Sequence, residues 1–384
     1  MSLCLSKRSG KLSHSEIRSM SVECEKVNGI NLSQGVCDLE LPLPVKQGAS
    51  NAIETGDNSY SRHDGTNELR NAIAKKARTY NKINADPEKN VVVSSGATGA
   101  FYSACLALLN PGDEVIIFEP FYGYHVTTLI AAEAVPVYVT LKAPNWEFDI
   151  QDLESVVTYR TKGILICTPS NPCGKVFSYD ELKLLANFSI KHDIFVFTDE
   201  IYEYFVYGEA THISPGSLTE ISDRTITISG YSKTFSVTGW RIGYVICNEK
   251  WAEMIGYVND LIYVCGPTPL QAGVAQGINQ LPDYFYKQLC SQYFDKREQL
   301  CGVLMTGGIM PHIPEGAYYV LADVSKIPGN TSKDKSMFLL EKIGVATVPG
   351  SAFYTSDSGN NLVRFCFAKS NEILDKACER LLTL

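Results

Sequence analysis

The chain has 384 residues, 45% of them hydrophobic, and its 34 basic side chains are outnumbered by 42 acidic ones, for a net charge of −8. That length supports a large core and two or three domains, or one large domain with a smaller partner, and the acidic balance, without a basic run of five or more, leaves nucleic acid and anionic membranes no electrostatic basis for binding. The start, Met1-Ser-Leu-Cys-Leu-Ser-Lys-Arg-Ser-Gly10, lacks a continuous apolar core, and no stretch of about 18 apolar residues occurs elsewhere, so a cytoplasmic protein is expected.

A short strand is expected at Gly29-Ile30. From about residue 90 one pattern recurs: a short β-branched run, a polar turn, then a longer stretch of helical period. The runs are Val91-Ser94, Glu114-Phe118, Val135-Leu141, Gly163-Thr168, Ile194-Thr198, Thr225-Ser229 and Gly243-Cys247. Seven such runs, most of them separated by helices, predict an α/β fold with a mainly parallel seven-stranded sheet sandwiched by helices. The connection Tyr231-Arg241 is too short for a crossover helix, so one strand is expected to run antiparallel. After Asn248 come helical stretches over Lys250-Ile262 and Pro269-Thr306, then short strands near Ala317-Ala322, Val345-Val348 and Leu362-Phe367, which read as a smaller α+β domain. Gly329-Ser332 and Thr355-Asn361 read as surface loops. The twelve cysteines are scattered, mostly in apolar runs and without a Cys-x-x-Cys pair, so buried thiols are expected rather than disulfides. None of the six histidines stands at i, i+4 spacing with a carboxylate, and no metal site is expected.

In an open parallel sheet, ligands bind beyond the carboxyl ends of the strands. After the first run stands Ser95-Gly96-Ala97-Thr98-Gly99, where free amides at a helix start and the Thr98 hydroxyl make an anion cradle. The second run leads to Pro120-Phe121-Tyr122-Gly123 and so to an aromatic ring. Past the fourth, Pro169-Ser170-Asn171-Pro172 holds an amide in a stiff turn, and past the fifth, Asp199-Glu200-Ile201-Tyr202 supplies a carboxylate and a phenol. The sixth run leads into Ser229-Gly-Tyr-Ser-Lys233-Thr-Phe-Ser-Val-Thr-Gly239-Trp-Arg241-Ile-Gly243. Lys233 leaves that strand end for a partly desolvated pocket, which lowers an amine pKa and favours a nucleophile, and Arg241 offers a fork for a phosphate. A phosphate cradle, a stacking ring, an amide and a phenol, a carboxylate for a ring nitrogen and an amine for an aldehyde together describe a site for pyridoxal 5'-phosphate.

With those motifs, together with Asn31-Leu-Ser-Gln-Gly35, Tyr60-Ser-Arg-His-Asp-Gly65, Pro349-Gly-Ser-Ala-Phe353 and Leu362-Val-Arg364-Phe-Cys-Phe-Ala368, the chain resembles the class I/II pyridoxal-phosphate aminotransferases of fold type I, the aspartate aminotransferase superfamily. The resemblance covers nearly the whole chain. It implies a large cofactor-binding domain over 46–275 and a small one formed by 1–45 plus 276–384. By the same resemblance Lys233 forms the aldimine with the cofactor and then serves as general base, and Asp199 bonds the ring nitrogen. Asn171 and Tyr202 reach the ring's phenolate oxygen, and Tyr122 stacks on the ring. Gly96, Ala97, Thr98, Ser232 and Arg241 belong to the phosphate site, and Tyr60 reaches that site from the neighbouring subunit of a homodimer. Gly35, Asn171 and Arg364 hold the substrate, with Arg364 clamping the α-carboxylate. The implied reaction moves an amino group from an L-amino acid to a 2-oxo acid in ping-pong order.

The chain departs from that pattern at three places. Gly230 stands where many members have serine, so part of the phosphate contact is expected from Ser229, Ser232 or elsewhere. Cys37 replaces a common proline. Tyr263-Val-Cys precedes Gly266-Pro-Thr-Pro-Leu270 without a second arginine, which favours a neutral or aromatic donor and leaves Arg62 as the route to an acidic one. A carbon-sulfur β-lyase on the same fold remains the alternative reaction. A non-catalytic effector domain of a transcription regulator would need a fused DNA-binding region, for which the segment before Gly29 is too short.

Overall fold

In the computed structural model, which describes residues 3–12 and 15–384, the first helix is α1 (Glu16–Lys26). Met20 and Cys24, one turn apart, pack it onto Leu340 and Ala346, and Glu16 pairs with Lys333 at 2.7 Å. Strand β1 (Ile30–Asn31) follows and runs parallel to Val345 and Ala346. Helices α2 (Leu43–Glu54) and α3 (Asn67–Lys76) come next. Thr66 caps α3 by accepting from the Leu69 amide.

All seven expected strands form one sheet: β2 (Val91–Ser95), β3 (Glu114–Glu119), β4 (Val135–Thr140), β5 (Thr161–Cys167), β6 (Phe195–Asp199), β7 (Thr225–Gly230) and β8 (Ile242–Ile246), in the order β2-β8-β7-β6-β5-β3-β4. β8 is antiparallel to both β2 and β7, because the chain between β7 and β8 makes only a 3-10 turn at Thr238–Trp240. The other four pairings are parallel. Helices α4 (Gly96–Leu108), α5 (Gly123–Ala131), α6 (Ile150–Val156) and α7 (Tyr179–Lys191) connect the strands, and α8 (Glu249–Tyr263) follows β8. Alternate side chains go to opposite faces. Val115, Ile117, Leu165, Phe197 and Ile228 meet Phe101 and Ala104 of α4 and Ile255 of α8, whereas Ile116, Ile164, Ile166 and Val196 meet Leu182, Leu185 and Phe188 of α7. Burial on both faces is why these strands read as unbroken apolar runs.

The remainder differs in detail from expectation. The predicted helical stretch Pro269-Thr306 is two helices, α9 (Thr268–Gln280) and α10 (Asp283–Thr306), since Pro282 has no N–H to continue the first. A second sheet has the order β12-β13-β10-β9, all antiparallel, with β9 (Met310–His312), β10 (Tyr319–Asp323), β12 (Val348–Pro349) and β13 (Leu362–Cys366). The expected strand Val345-Val348 divides, with β11 (Val345–Ala346) pairing with β1 and β12 with β13. Helix α11 (Ser332–Phe338) starts at the end of the predicted loop Gly329-Ser332, and α12 (Asn371–Leu381) closes the chain. Tyr293, Leu300 and Leu304 of α10 pack with Val320, Phe365 and Leu374, and the same core takes in Tyr202 and Phe205 from beyond β6. All twelve cysteines are free and eight are buried. Among the described residues no helix is long and apolar enough to cross a membrane.

Candidate active site

A cavity of about 430 Å³ lies beyond the carboxyl ends of β2, β3, β5, β6 and β7, the position an open sheet leaves for a ligand. At one part of it α4 begins without a side-chain cap on its first turn, so its leading amides stay available to an anion. Gly96 has φ +74°, and a Cβ there would collide with the Arg241 guanidinium. A Cβ at Gly243 would collide with the Ala97 amide. Both glycines are therefore required for Arg241 and the start of α4 to share one small space. Ala97, Thr98, Ser232 and Arg241 line the cavity here, and Arg241 Nη1 donates to the Thr238 carbonyl at 2.9 Å.

Asp199 ends β6 inside the cavity. Its Oδ1 accepts from the Ile201 amide at 3.1 Å, and its Oδ2 lies 2.7 Å from His125 Nε2. His125 sits one turn into α5 from Tyr122, whose ring meets it edge-on at 5.2 Å, and Phe101 meets it edge-on at 5.6 Å. The carboxylate is thus held on two sides by buried groups. Tyr202 puts its hydroxyl 3.1 Å from that of Tyr319. Burial pushes the phenols of Tyr122, Tyr202 and Tyr319 well above the ordinary tyrosine range, so all three keep their protons.

Lys233 reaches the cavity three residues beyond β7, with Nζ 3.3 Å from the Gly35 carbonyl. Removal from water pushes its amine below the usual lysine value. Cys37 lies beneath it, its thiol 3.6 Å from the Lys233 carbonyl and 3.7 Å from the Tyr318 hydroxyl; burial pushes that thiol up. Arg364 on β13 is 1% exposed. Its Nη1 donates to Asn171 Oδ1 at 2.7 Å and its Nη2 to the Ser33 carbonyl at 2.6 Å. The guanidinium rests 4.1 Å above the Tyr319 ring and 5.1 Å from that of Phe353. Its Nε has no partner among the described residues. Arg364 lines the cavity, and each terminal nitrogen keeps one N–H beyond its bond to the protein, which is the state of a group built to receive a carboxylate.

The expected site residues are thus gathered in one place, with exceptions. Gly96 stands just behind the wall. Tyr60 is 83% exposed and does not line the cavity. Ser229 does not support an anion there: its hydroxyl is buried away from the cavity, 3.1 Å from Glu203 Oε1 and 3.3 Å from the Glu200 carbonyl, and of the two serines expected there Ser232 lines the cavity. A side chain at Gly230 would press on the Ile242 carbonyl at 2.8 Å. Arg62 is committed to Asp64 and, at 2.8 Å, to Glu88, and lines a different surface depression. The residues not anticipated are His125, Tyr319, Gln34 and Arg18, the last on α1. His125 could have been suspected from its place three residues after Tyr122 on a helix; its partner, 74 residues on, has no local signal.

Glu200, Glu203 and His212 also bring ligand atoms within 4.8 Å of one another behind the site. Protein donors already occupy them: Lys76 and Asn81 (2.7 Å) bond Glu203, while His212 (2.9 Å) and Ser214 (2.7 Å) bond Glu200.

The model of the family described as aminotransferase class I and II matches residues 27–381. Kynurenine–oxoglutarate transaminase 3 of Rattus norvegicus is 35% identical over 91% of this chain and 84% of its own length. The aspartate aminotransferase of Pyrococcus abyssi is 33% identical over 99% and 97%. The solved structure of N-succinyldiaminopimelate aminotransferase from Mycobacterium tuberculosis superimposes with a TM-score of 0.95 at 33% identity, covering 99% of this chain and all of that one.

Proposed function

Because the chain belongs to the aminotransferase class I and II family, whose members use pyridoxal 5'-phosphate, we propose that the strand-end cavity holds that cofactor and that Lys233, Asp199 and Arg364 carry its transamination chemistry. The observation that carries this reading is the meeting, in one cavity, of a depressed lysine amine, a carboxylate fixed by His125, an uncapped helix start beside Arg241, and an arginine with unused donors. The residues present fit the group. The space around Gly96 and Gly243 admits a phosphate against backbone amides, and the carboxylate, amide and phenols suit a protonated pyridine ring with a phenolate oxygen.

The first turn of α4, Thr98, Ser232 and Arg241 would hold the phosphate. Tyr122 would cover the ring, Asp199 would accept from its nitrogen, and Asn171 and Tyr202 would donate to its oxygen. When bound, the cofactor supplies an aldehyde and an electron-withdrawing ring that acidifies the substrate's Cα–H. The protein does the rest. Arg364 binds the α-carboxylate, with its orientation set by Asn171 and Ser33. Lys233, whose amine desolvation pushes below the usual lysine value, would act first as nucleophile and then take the proton from the substrate Cα. His125, bonded to Asp199 Oδ2, would hold that carboxylate in place for the ring nitrogen. The names of the relatives are those of transaminases and give no support to the lyase alternative.

The exposed Tyr60 suits a residue that completes the site of a second copy in a homodimer. Residues 46–275 would form the larger domain and 1–45 with 276–384 the smaller. The twelve unpaired thiols agree with a cytoplasmic location. A direct test is cofactor retention by Tyr60→Ala: weakened binding with the dimer intact supports the shared site, and unchanged binding opposes it.

A further inference from the structure

The Gly35 carbonyl receives two donors. Lys233 Nζ lies 3.3 Å from it, and the Tyr318 hydroxyl donates to it at 3.2 Å. A carbonyl oxygen has two lone pairs, so both are taken. Among the described residues this carbonyl is the one hydrogen-bond acceptor of the Lys233 amine. Gly35 and Lys233 line the cavity, whereas Tyr318 and Cys37 are buried and do not.

Tyr318 is placed by packing. It stands just before β10, and its ring meets Tyr202 edge-on at 5.0 Å, Phe205 edge-on at 5.5 Å and Tyr293 stacked at 5.8 Å. The Cys37 thiol lies 3.7 Å from its oxygen and 3.6 Å from the Lys233 carbonyl. Burial pushes both the phenol and the thiol up, so each keeps its proton and serves as a donor. The donors therefore run in series, from the thiol through the phenol to Gly35, and each polarises the next. Cys37 replaces a proline common in the family, which would supply no donor here. The other titratable or charged groups near the amine are the Cys366 thiol on β13, Asp199 and Arg241. Asp199 is engaged by His125, and Arg241 by the Thr238 carbonyl.

We infer that Tyr318, backed by Cys37, is a positioning residue for Lys233: its hydroxyl shares the Gly35 carbonyl, so an amine without a covalent partner rests there on a weakened bond and leaves it readily. The use of that arrangement in turnover rests on the proposed transaminase site; the shared carbonyl does not.

An ammonium gains more from an unshared carbonyl than a neutral amine does. Tyr318→Phe should therefore raise the pH at which Lys233 gives up its proton by about half a unit to one unit, the size of one net hydrogen bond. The measurement is the rate at which acetic anhydride acylates Lys233 in the full-length cofactor-free protein, followed by mass spectrometry across pH, since only the neutral amine reacts. Cys37→Ala should move the midpoint in the same direction by less, and Cys37→Ser, which restores a donor, should return it to the parent value. In the loaded enzyme the rising limb of kcat should shift to higher pH in Tyr318→Phe, with the amino-acid KM unchanged. A midpoint that stays put or falls in Tyr318→Phe, or in Cys37→Ala if the first variant does not fold, would overturn the inference. If the midpoint rises while no amino acid is transaminated, the proposed reaction fails and the positioning of Lys233 stands.

Discussion

His125 Nε2 lies 2.7 Å from Asp199 Oδ2, inside a pocket closed by Phe101 and Tyr122. The imidazole and the Ile201 amide together fix the carboxylate. His125→Leu keeps the volume and deletes one partner of a buried carboxylate, a change that costs about 1–3 kcal/mol. We expect a lower unfolding temperature, weaker cofactor retention and a fall in kcat. Asp199→Asn should cost about 10²–10³ in kcat, the scale for removing one preorganised charge. Full activity in both variants would mean that the carboxylate has no electrostatic task.

Lys233 is predicted to oppose folding of the cofactor-free protein. Its amine is pushed below the ordinary 10.5 by desolvation. In the window between the folded value and 10.5 the unfolded chain holds a proton that the folded amine has lost, so stability rises with pH across that window and is flat below it. Lys233→Met should lose turnover yet raise the stability of the cofactor-free protein at neutral pH by about 0.5–2 kcal/mol, with the gain shrinking toward pH 10.5. In the parent enzyme kcat/KM should climb with pH at a midpoint below 10.5. Denaturant unfolding across pH reads the first effect and steady-state kinetics the second; a stability gain that grows with pH has the wrong sign.

Gly35 and Tyr319 are packed so closely that a Cβ at residue 35 would overlap the phenol. Gly35→Ala must displace Tyr319, which bonds Tyr202 and supports Arg364. Overpacking of this kind costs about 1–3 kcal/mol. The amino-acid KM should rise more than kcat falls, and Tyr319→Phe in the same chain should restore part of the loss. A strictly additive double variant would refute the coupling.

Much of this arrangement was legible before the structure, for a physical reason. Strands covered on both faces read as unbroken apolar runs, and ligand-binding residues stand at their carboxyl ends, so Asn171, Asp199 and Lys233 could be placed from position alone. What escaped was set by distant partners. His125 is defined by Asp199, 74 residues further on, and Tyr319 by Tyr202, 117 residues before it. The choice between Ser229 and Ser232 was open to strand parity: Ile226 and Ile228 face one side of β7, so Ser229 faces the other, toward Glu203. Three-residue β9 and the divided strand at Thr347 are too short to leave a periodic signal.

Arg364→Lys keeps the charge and removes the planar fork that lies between Tyr319 and Phe353. The KM for amino acids should rise by about tenfold or more, the equivalent of losing one charge-assisted bond, with the cofactor's absorbance unchanged. An unaltered KM would remove Arg364 from carboxylate binding.

The most direct measurement is the absorbance spectrum of the cofactor-loaded protein as single amino acids are added in turn. We expect the visible band to give way to a near-ultraviolet band, to return on addition of a 2-oxo acid, and to be unresponsive in Lys233→Ala. A band that persists while pyruvate and ammonia or a thiol accumulate would mean elimination, and no band even with added pyridoxal 5'-phosphate would contradict the account at its centre.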